Sequence, residues 1–306
     1  MFGSIFRAAR RVALAGLVTA MTAASAGAQT SGAGAQTNGA ANDVANDAAN
    51  DAANDRMSEA LEMYHNGHYD AALSFFLDLA QQENLPEAYY NIGVMYAKGQ
   101  GVKLSYDTAL SYYRQAADRG STQAMFSIGA MYAVGLGVPV DFKEAAVWYR
   151  KAAEMGDAGA ANTLGLLYDK QRGVRQDFAE AVKWYRMAAD QGFTASQYNL
   201  GYMYDKGRGV KEDAKEAFKW YARAAEQGYT EAQTALAFMY DQGRGVARDR
   251  VQAYKWFQIV ADTLPSSAET QRVYAIKRRD VVAKRMKPAQ IAEAQKLARE
   301  WRPIVP

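Results

Sequence analysis

The chain has 306 residues, of which 49% are hydrophobic, and a formal net charge of +3. A charge this close to neutral gives no sign of a polyelectrolyte surface, so we expect no nucleic-acid partner. The sequence contains no cysteine. This excludes a disulfide framework and thiolate metal sites, and the fold must therefore depend on apolar burial.

Residues 1–28 have the order of a secretory signal peptide. Three arginines precede an apolar run that starts at Val12, and the run ends in the small residues ASAGAQ. This order is typical of a cleaved leader. The alternative is an uncleaved membrane anchor, which the short run, rich in alanine and threonine, disfavours. We expect cleavage after Ala26 or Ala28, a periplasmic or secreted location, and no integral membrane segment in the mature protein.

Two segments lie between the leader and the central part of the chain. Residues 29–54 repeat Ala-Asn-Asp with a period of four and contain no aromatic residue, so we predict a disordered linker. Residues 55–84, with NGHYDAALSFF at their centre, connect this linker to the central part of the chain. His65 and His68 flank Gly67 in a turn without a third ligand, so we expect no bound metal.

A glycine-containing loop recurs every 36 residues without an insertion. The five copies are KGQGVK, VGLGVP, KQRGVR, KGRGVK and QGRGVA, which begin at residues 98, 134, 170, 206 and 242. A phosphate-binding loop serves one ligand, ends in Gly-Lys-Ser/Thr and follows a strand, and these loops have none of those features. A constant period of this length is instead typical of a solenoid of repeats.

Each unit has the apolar spacing of two helices, and five units cover residues 85–264. The first helix has glycine at one position in four units and alanine in the fifth: Gly93, Gly129, Gly165, Gly201 and Ala237. Since a glycine inside a helix costs about 1 kcal/mol relative to alanine, the pattern predicts a close approach of the two helices. We expect Gly165, in the central unit, to be the most sensitive of these glycines.

The second helix of four units begins with an aspartate that is followed three residues later by glutamate or glutamine. These aspartates are Asp141, Asp177, Asp213 and Asp249. The pattern predicts a capping box, in which the aspartate accepts from an amide of the first turn. The glutamate or glutamine side chain would in turn accept from the amide of the aspartate. The carboxylates would then have a structural role, which disfavours a catalytic carboxylate pair.

The unit AxxxLGxxYxxGxGVxxDxxxAxxWYxxAAxxG resembles the Sel1-like repeat, a relative of the tetratricopeptide repeat, from Leu85 to Leu264. Departures are few, since Ser105 replaces a capping aspartate and Gln171 replaces a loop glycine. The resemblance implies an all-α fold, a right-handed superhelical solenoid of helix-turn-helix repeats with helical caps. It also implies adaptor roles in envelope assembly or in signalling through a membrane sensor.

Both ends of the repeat array have the sequence of a cap. Residues 55–84 resemble a tetratricopeptide-type helix pair. Residues 265–306 predict two helices that are separated before Pro288, with Trp301 packed on the last repeat. The run from Arg272 to Lys287 is strongly basic. Such a run is usually the solvated face of a terminal helix, and the alternative is a surface for an acidic partner or anionic lipid.

In related repeats the first helix of each unit lines the concave side of the solenoid, which implies a surface for a partner. A stripe rotated away from the predicted core face contains amide, lysine and aromatic groups that vary between units. Its candidate partner-binding residues are Asn91, Lys98, Ser127, Thr163, Asn199, Tyr202, Lys206 and Phe238. Such groups suit the backbone, carboxylates and apolar side chains of an extended peptide. An ordinary solvated groove is the alternative interpretation.

The sequence therefore favours a non-enzymatic, exported scaffold that binds a protein or peptide partner in the cell envelope. We expect no cofactor. The alternative function is that of a cell-wall-acting enzyme or a peptidoglycan-binding module. No GxSxG, HExxH or Walker sequence supports the enzyme.

Overall fold

The computed structural model describes residues 40–304. Within that range it consists of fourteen α-helices, one short 3₁₀ helix at Ser266–Ala268 and connecting loops, with no β-strand. The α-helices are α1 Ala40–His65, α2 Tyr69–Gln82, α3 Pro86–Lys98, α4 Tyr106–Asp118, α5 Thr122–Val134, α6 Phe142–Glu154, α7 Ala158–Asp169, α8 Phe178–Asp190, α9 Thr194–Lys206, α10 Ala214–Glu226, α11 Thr230–Gln242, α12 Arg250–Thr263, α13 Glu269–Ala283 and α14 Pro288–Glu300. The predicted all-α solenoid of consecutive helix pairs with helical caps is confirmed.

The chain divides after Met155 into two compact units. In the N-terminal unit, α1 to α6 pack in sequence, each helix against the next. The side chains of Phe76, Ile92 and Met95 are fully buried in its first core cluster. This unit therefore contains the predicted N-terminal cap and the first two repeats.

The C-terminal unit contains α7 to α14, which form three repeats and the second cap. One of its core clusters joins Phe257 of α12 to Val282 of α13 and Ala294 of α14. The last two helices therefore cover the last repeat, as expected of a cap. The ring of Trp301 lies edge-to-face against that of Trp256, with 5.7 Å between centroids, which confirms the predicted packing of Trp301.

The predicted disordered linker is corrected between residues 40 and 54, because α1 already begins at Ala40. Alanine has the highest helix propensity of all residues, and a four-residue period is close to the helical repeat of about 3.6 residues. Ala53 and Met57 are buried, with 8% and 9% exposure, so packing supports this part of the helix. The predicted signal peptide and residues 29–39 of the linker lie outside the described residues.

In the first four repeats, the helical glycine lies against a tyrosine ring of the second helix. A Cβ atom added at any of these glycines would lie 2.6–2.9 Å from that ring, which is too close for carbon atoms. The pairs are Gly93 with Tyr113, Gly129 with Tyr149, Gly165 with Tyr185 and Gly201 with Tyr221. The predicted close approach of the two helices is confirmed, and its cause is the space that each tyrosine ring fills.

The four predicted aspartate caps are confirmed, but the reciprocal half of the capping box is wrong. Asp213, for example, accepts from the amides of Lys215 at 2.9 Å and Glu216 at 3.1 Å. The amide of Asp213 donates to the carbonyl of Tyr204, 3.0 Å away, and the other three caps make the equivalent bond to the preceding helix. Since this amide already has an acceptor, the glutamate is not needed there, and Glu216 pairs with Lys219 at 3.3 Å.

The glycine loops pack backbone against backbone on the preceding repeat. A Cβ atom added at Gly209 would lie 2.2 Å from the carbonyl oxygen of Phe178, and one at Gly245 would lie 2.1 Å from that of Ala214. Gln171, which replaces the first loop glycine of the third repeat, adopts the left-handed conformation with φ 55°. The loops therefore space the repeats, and their glycines meet a steric requirement rather than a ligand.

Candidate partner-binding surface

The N-terminal unit buries two of the predicted partner-binding residues. Asn91 and Ser127 are only 5% and 4% exposed. The side-chain nitrogen of Asn91 lies 3.9 Å from the sulfur of Met57 on α1. Contrary to the prediction, these two side chains do not lie on an open surface. The stripe faces away from the core of its own repeat, but at Asn91 it is covered by the neighbouring helix.

Lys98, the third predicted residue of this unit, belongs to a half-buried polar network. Its ammonium donates to the Tyr64 hydroxyl at 3.2 Å, and Gln100 bonds the hydroxyl groups of both Tyr64 and Tyr69. Burial lowers the pKa of Lys98 and raises the pKa of Tyr64 to about 12. The lysine is therefore held by the fold and has little freedom to reach a partner.

The other predicted residues lie on the first helices of the three C-terminal repeats. They are Thr163 on α7, Asn199, Tyr202 and Lys206 on α9, and Phe238 on α11. Asn199 donates to the Asn162 side chain at 3.2 Å, which links α9 to α7. Thr163 donates to a carbonyl of its own helix, and Lys206 pairs with Asp205 at 2.8 Å. All three polar side chains thus have an internal bond.

The partly exposed rings of Tyr202 and Phe238 occupy the same position in consecutive repeats of this unit. The guanidinium of Arg208 lies 5.4 Å from the centroid of the Tyr202 ring. That of Arg278 lies 4.7 Å from the Phe238 ring. The face of an aromatic ring attracts a cation, so each ring has a positive charge beside it. Arg208 belongs to the loop that follows α9, whereas Arg278 belongs to α13 of the cap.

The sequence reasoning missed a ladder of ion pairs inside the C-terminal unit. Three buried aspartates, 7–8% exposed, each face an arginine of the following repeat or cap. The pairs are Asp169 with Arg208 at 4.0 Å, Asp205 with Arg244 at 2.5 Å, and Asp241 with Arg285 at 2.8 Å. A signal was present in the sequence, because the aspartates recur with the 36-residue period. The N-terminal unit has Ala97 and Ala133 at this position.

The arginines of the ladder are not equally satisfied. Arg244 contacts two carboxylates, those of Asp205 and Glu212. Arg208 lies 4.0 Å from Asp169, beyond hydrogen-bond distance, and Oδ1 of Asp169 has no hydrogen-bond partner among the described residues. Arg208 therefore keeps N–H donors for a carboxylate from outside the chain.

The basic run of the C-terminal cap is not only a solvated face. Arg279 pairs with Asp280 at 2.7 Å and donates to Gln258 of α12 at 3.0 Å. Arg285 holds Asp241 at the end of α11. These two arginines attach the cap to the last repeat, and the expectation of a purely solvated run is corrected at both positions.

The part of the chain from residue 40 to residue 304 contains no group of three or more histidines, cysteines, aspartates or glutamates that could hold a metal ion. None of its helices combines the length and apolar character needed to cross a bilayer. A depression of about 700 Å³ in the C-terminal unit is lined by Lys211, Glu212 and Asp213, and the carboxylate of Asp213 is occupied as a helix cap.

The sequence matches the family model of the Sel1 repeat at residues 86–121, 122–157, 158–193, 194–229 and 230–262. The chain belongs to the Sel1-repeat family. Proteins of this family are generally non-catalytic scaffolds for protein interaction. A solved Sel1 repeat protein from Oxalobacter formigenes is 31% identical over 79% of this chain and 98% of that one, with a TM-score of 0.67.

Two further solved structures are more distant from this Sel1-repeat protein. A protective antigen of uropathogenic Escherichia coli is 22% identical over 81% of this chain and 84% of that one, with a TM-score of 0.38. An immunity protein from Pseudomonas aeruginosa is 19% identical over 73% of this chain and 82% of that one, also with a TM-score of 0.38. Similarity at this level concerns the fold alone. Comparison with curated proteins gave no significant match.

Proposed function

We propose that this Sel1-repeat protein is an exported, non-enzymatic scaffold whose C-terminal unit binds an extended peptide along α9 and α11. The observation that carries the proposal is that the equivalent rings of Tyr202 and Phe238 each have an arginine beside them. Aromatic residues and arginines supply most of the energy at protein interfaces. The N-terminal unit presents no equivalent among its predicted residues, since two are buried and the third is held in a network.

The proposed peptide is apolar and acidic. The rings of Tyr202 and Phe238 would accept apolar side chains from successive positions along the peptide. Arg208, whose nearest carboxylate is 4.0 Å away, would bind a carboxylate in charge-assisted hydrogen bonds. Asn199 would pair with the peptide backbone through the part of its amide that the bond to Asn162 leaves free.

A photocrosslinking experiment tests the binding surface. The photoreactive residue p-benzoylphenylalanine replaces Tyr202 in one variant and the exposed Val147 in a matched control. We expect a crosslinked partner from the envelope fraction at residue 202 and none at 147. The captured partner should then bind the Tyr202→Ala variant at least tenfold more weakly, about 1.4 kcal/mol, with little change in thermal midpoint. Undiminished affinity in a folded variant would contradict the proposed surface.

The export part of the proposal rests on the sequence of residues 1–28 and has a separate test. Mass spectrometry of the protein from its native cell should find an N-terminus at Gly27 or Gln29 in the periplasmic fraction. Recovery of the chain with Met1 intact would contradict export by a cleaved leader, whereas the proposed peptide surface would be unaffected.

A further inference from the structure

The outward face of α13 has an unusual composition for the solvent-exposed side of a helix. The helix packs through its inner face, where Ala275 and Val282 are fully or almost fully buried. With about 100° between successive residues, a second set lies about 100–180° around the helix from these two buried side chains. This set, the α13 stripe, consists of Thr270, Val273, Tyr274, Lys277, Val281 and Lys284. The last of these continues the helical conformation at the C-cap.

The α13 stripe concentrates exposed apolar surface. Val273, Tyr274 and Val281 are 38%, 50% and 43% exposed. Nine large hydrophobic residues are exposed among those that the structure describes, and these are three of them. The other six each stand in a different loop, helix or terminal segment. Single exposed apolar residues are ordinary, whereas a contiguous group indicates an interaction surface.

The stripe also has a shape that a side chain can fill. A depression of about 420 Å³ is lined by Glu269, Thr270, Val273, Tyr274 and Lys277. A large apolar side chain from a protein partner would enter such a depression. The flat surface of a lipid bilayer would leave it empty, so its presence favours a peptide over a membrane.

The charge of the stripe is positive and not neutralised. Lys277 and Lys284 form no ion pair within residues 40–304. The carboxylate nearest to them in sequence, Asp280, is held by Arg279 at 2.7 Å. The two lysines flank Val281, so apolar and basic groups alternate along one line. A partner that matches this line carries acidic residues beside apolar ones.

We propose that the α13 stripe docks an acidic amphipathic helix of a partner protein. Apolar side chains of that helix at i, i+3 or i+4, and i+7 would cover Val273, Tyr274 and Val281. Its acidic flanks would meet Lys277 and Lys284. A helix suits this surface because the stripe lies on a single helix of 15 residues, about 22 Å long at 1.5 Å per residue. The stripe shares no residue with the proposed peptide surface on α9 and α11, but it adjoins that surface at Tyr274, whose ring centroid lies 6.4 Å from that of Phe238.

Fluorescence anisotropy with a designed peptide tests the proposal. The probe is a lactam-bridged amphipathic helix with leucine at i, i+3, i+4 and i+7 and glutamate on its flanks. A second peptide carries lysine in place of each glutamate. We expect the glutamate peptide to bind the whole protein and the lysine peptide to bind at least tenfold more weakly. Tyr202→Ala should leave this binding unchanged, which separates the stripe from the proposed peptide surface.

Variants of the stripe complete the test. Val273→Asp with Val281→Asp should weaken binding at least tenfold, while Val147→Asp, at a single exposed valine of α6, should not. The double variant Lys277→Glu with Lys284→Glu should also weaken binding at least tenfold, whereas the control Lys143→Glu should not. This lysine variant tests the proposal even if the valine variant fails to fold. Equal binding of both peptides would overturn the proposal.

Two other outcomes would also overturn it. If the protein binds vesicles that contain phosphatidylglycerol but not the glutamate peptide, and Val273→Asp with Val281→Asp abolishes that binding, the stripe is a membrane surface. If the protein dimerises in analytical ultracentrifugation and the same variant is monomeric, the stripe docks a second copy of the chain.

Discussion

The two units of this Sel1-repeat protein share their contacts within a repeat and differ in their contacts between repeats. Within a repeat, both units place a helical glycine against a tyrosine ring and begin the second helix with a side-chain cap. Towards the element before it, the first repeat of the N-terminal unit uses Gln100, which bonds two tyrosine hydroxyls of the cap. The C-terminal unit has Arg244 at the same loop position, and this arginine pairs with the buried Asp205.

The comparison shows which positions decide each type of contact. The repeat signature specifies the helix pair through its helical glycine and tyrosine, and its loop glycines let the backbone pack on the preceding repeat. The signature does not specify every position. One unspecified position holds Ala97 in the first repeat and Asp241 in the fifth, and such positions decide whether neighbouring repeats meet through neutral or charged groups. Two arrays with the same fold therefore differ in the chemistry that joins their repeats.

The largest effect should come from the contact that both units share. Gly165→Val and Gly129→Val place a branched side chain where even a Cβ atom would lie within 2.9 Å of a tyrosine ring. We expect each variant to lose about 3 kcal/mol of unfolding free energy, measured by urea denaturation of each variant. Ala289→Val, at an exposed position of α14, is the control. If one of the two glycine variants kept an unfolding free energy near that of the wild type, the helix pairs of the two units would not be packed alike.

A smaller and unequal effect should come from the contacts between repeats. Arg244→Met leaves the buried carboxylate of Asp205 with Lys206 as its remaining cation. Because Arg244 is partly exposed, we expect a loss of about 2 kcal/mol, less than for a fully buried pair. Gln100→Met in the N-terminal unit should lose about 1 kcal/mol, the value of a neutral hydrogen bond.

The double variant Arg244→Met with Asp205→Leu sharpens this difference. Replacing both charges by apolar groups removes the uncompensated carboxylate, so part of the lost stability should return. Urea denaturation of the single and double variants gives the coupling free energy. Additive losses would mean that the ladder of ion pairs contributes nothing specific to the C-terminal unit.

The caps should contribute equally in the two units. Asp141→Ala and Asp213→Ala each remove an acceptor for two backbone amides, and we expect a loss of about 1 kcal/mol for each. Glu216→Ala should change the unfolding free energy by less than about 0.5 kcal/mol, because the amide of Asp213 already bonds to Tyr204. A loss for Glu216→Ala as large as that for Asp213→Ala would restore the reciprocal capping box.

The smallest effect concerns a single loop of the C-terminal unit. Gln171 has φ 55°, whereas its equivalent in the next repeat is Gly207 with φ 62°. A left-handed conformation costs a residue with a Cβ atom about 1 kcal/mol, and glycine loses more entropy on folding. We therefore expect Gln171→Gly to raise the unfolding free energy by about 0.5 kcal/mol or more, and Gly207→Gln to lower it by about 1 kcal/mol. Thermal denaturation would refute this if both variants moved in the same direction.

Regular spacing made the fold predictable from the sequence. The period, the glycine loops, the helical glycines and the aspartate caps are local patterns with a known steric or hydrogen-bonding cause. The reciprocal role of Glu216 was wrong because its target amide bonds to Tyr204 in the preceding helix. The linker was wrong from Ala40 onward, because composition alone did not show that Ala53 and Met57 pack in the cap.

The candidate surface was harder to predict, because exposure depends on neighbouring repeats. Counting positions around α3 placed Asn91 away from the core of its own repeat, but α1 covers it. The same count gave no sign that Arg208 lies over the Tyr202 ring, since the two residues belong to a loop and a helix. Such contacts depend on how one repeat stacks on the next, which the pattern within a repeat does not specify.

The backbone contact of the glycine loops has a consequence for how this chain can change its length. At Gly209 and Gly245 the loop touches the start of an earlier helix with no room for a Cβ atom. A residue inserted within the loop would lift it from that helix. A residue inserted in the first helix before the helical glycine would rotate that glycine by about 100° around the helix axis. The glycine would then no longer face its tyrosine ring. A single insertion at either place would therefore break a packing contact, whereas a complete unit added or removed leaves every such contact intact. These contacts thus fix the length of the segment from the helical glycine to the loop and leave the number of repeats unrestricted.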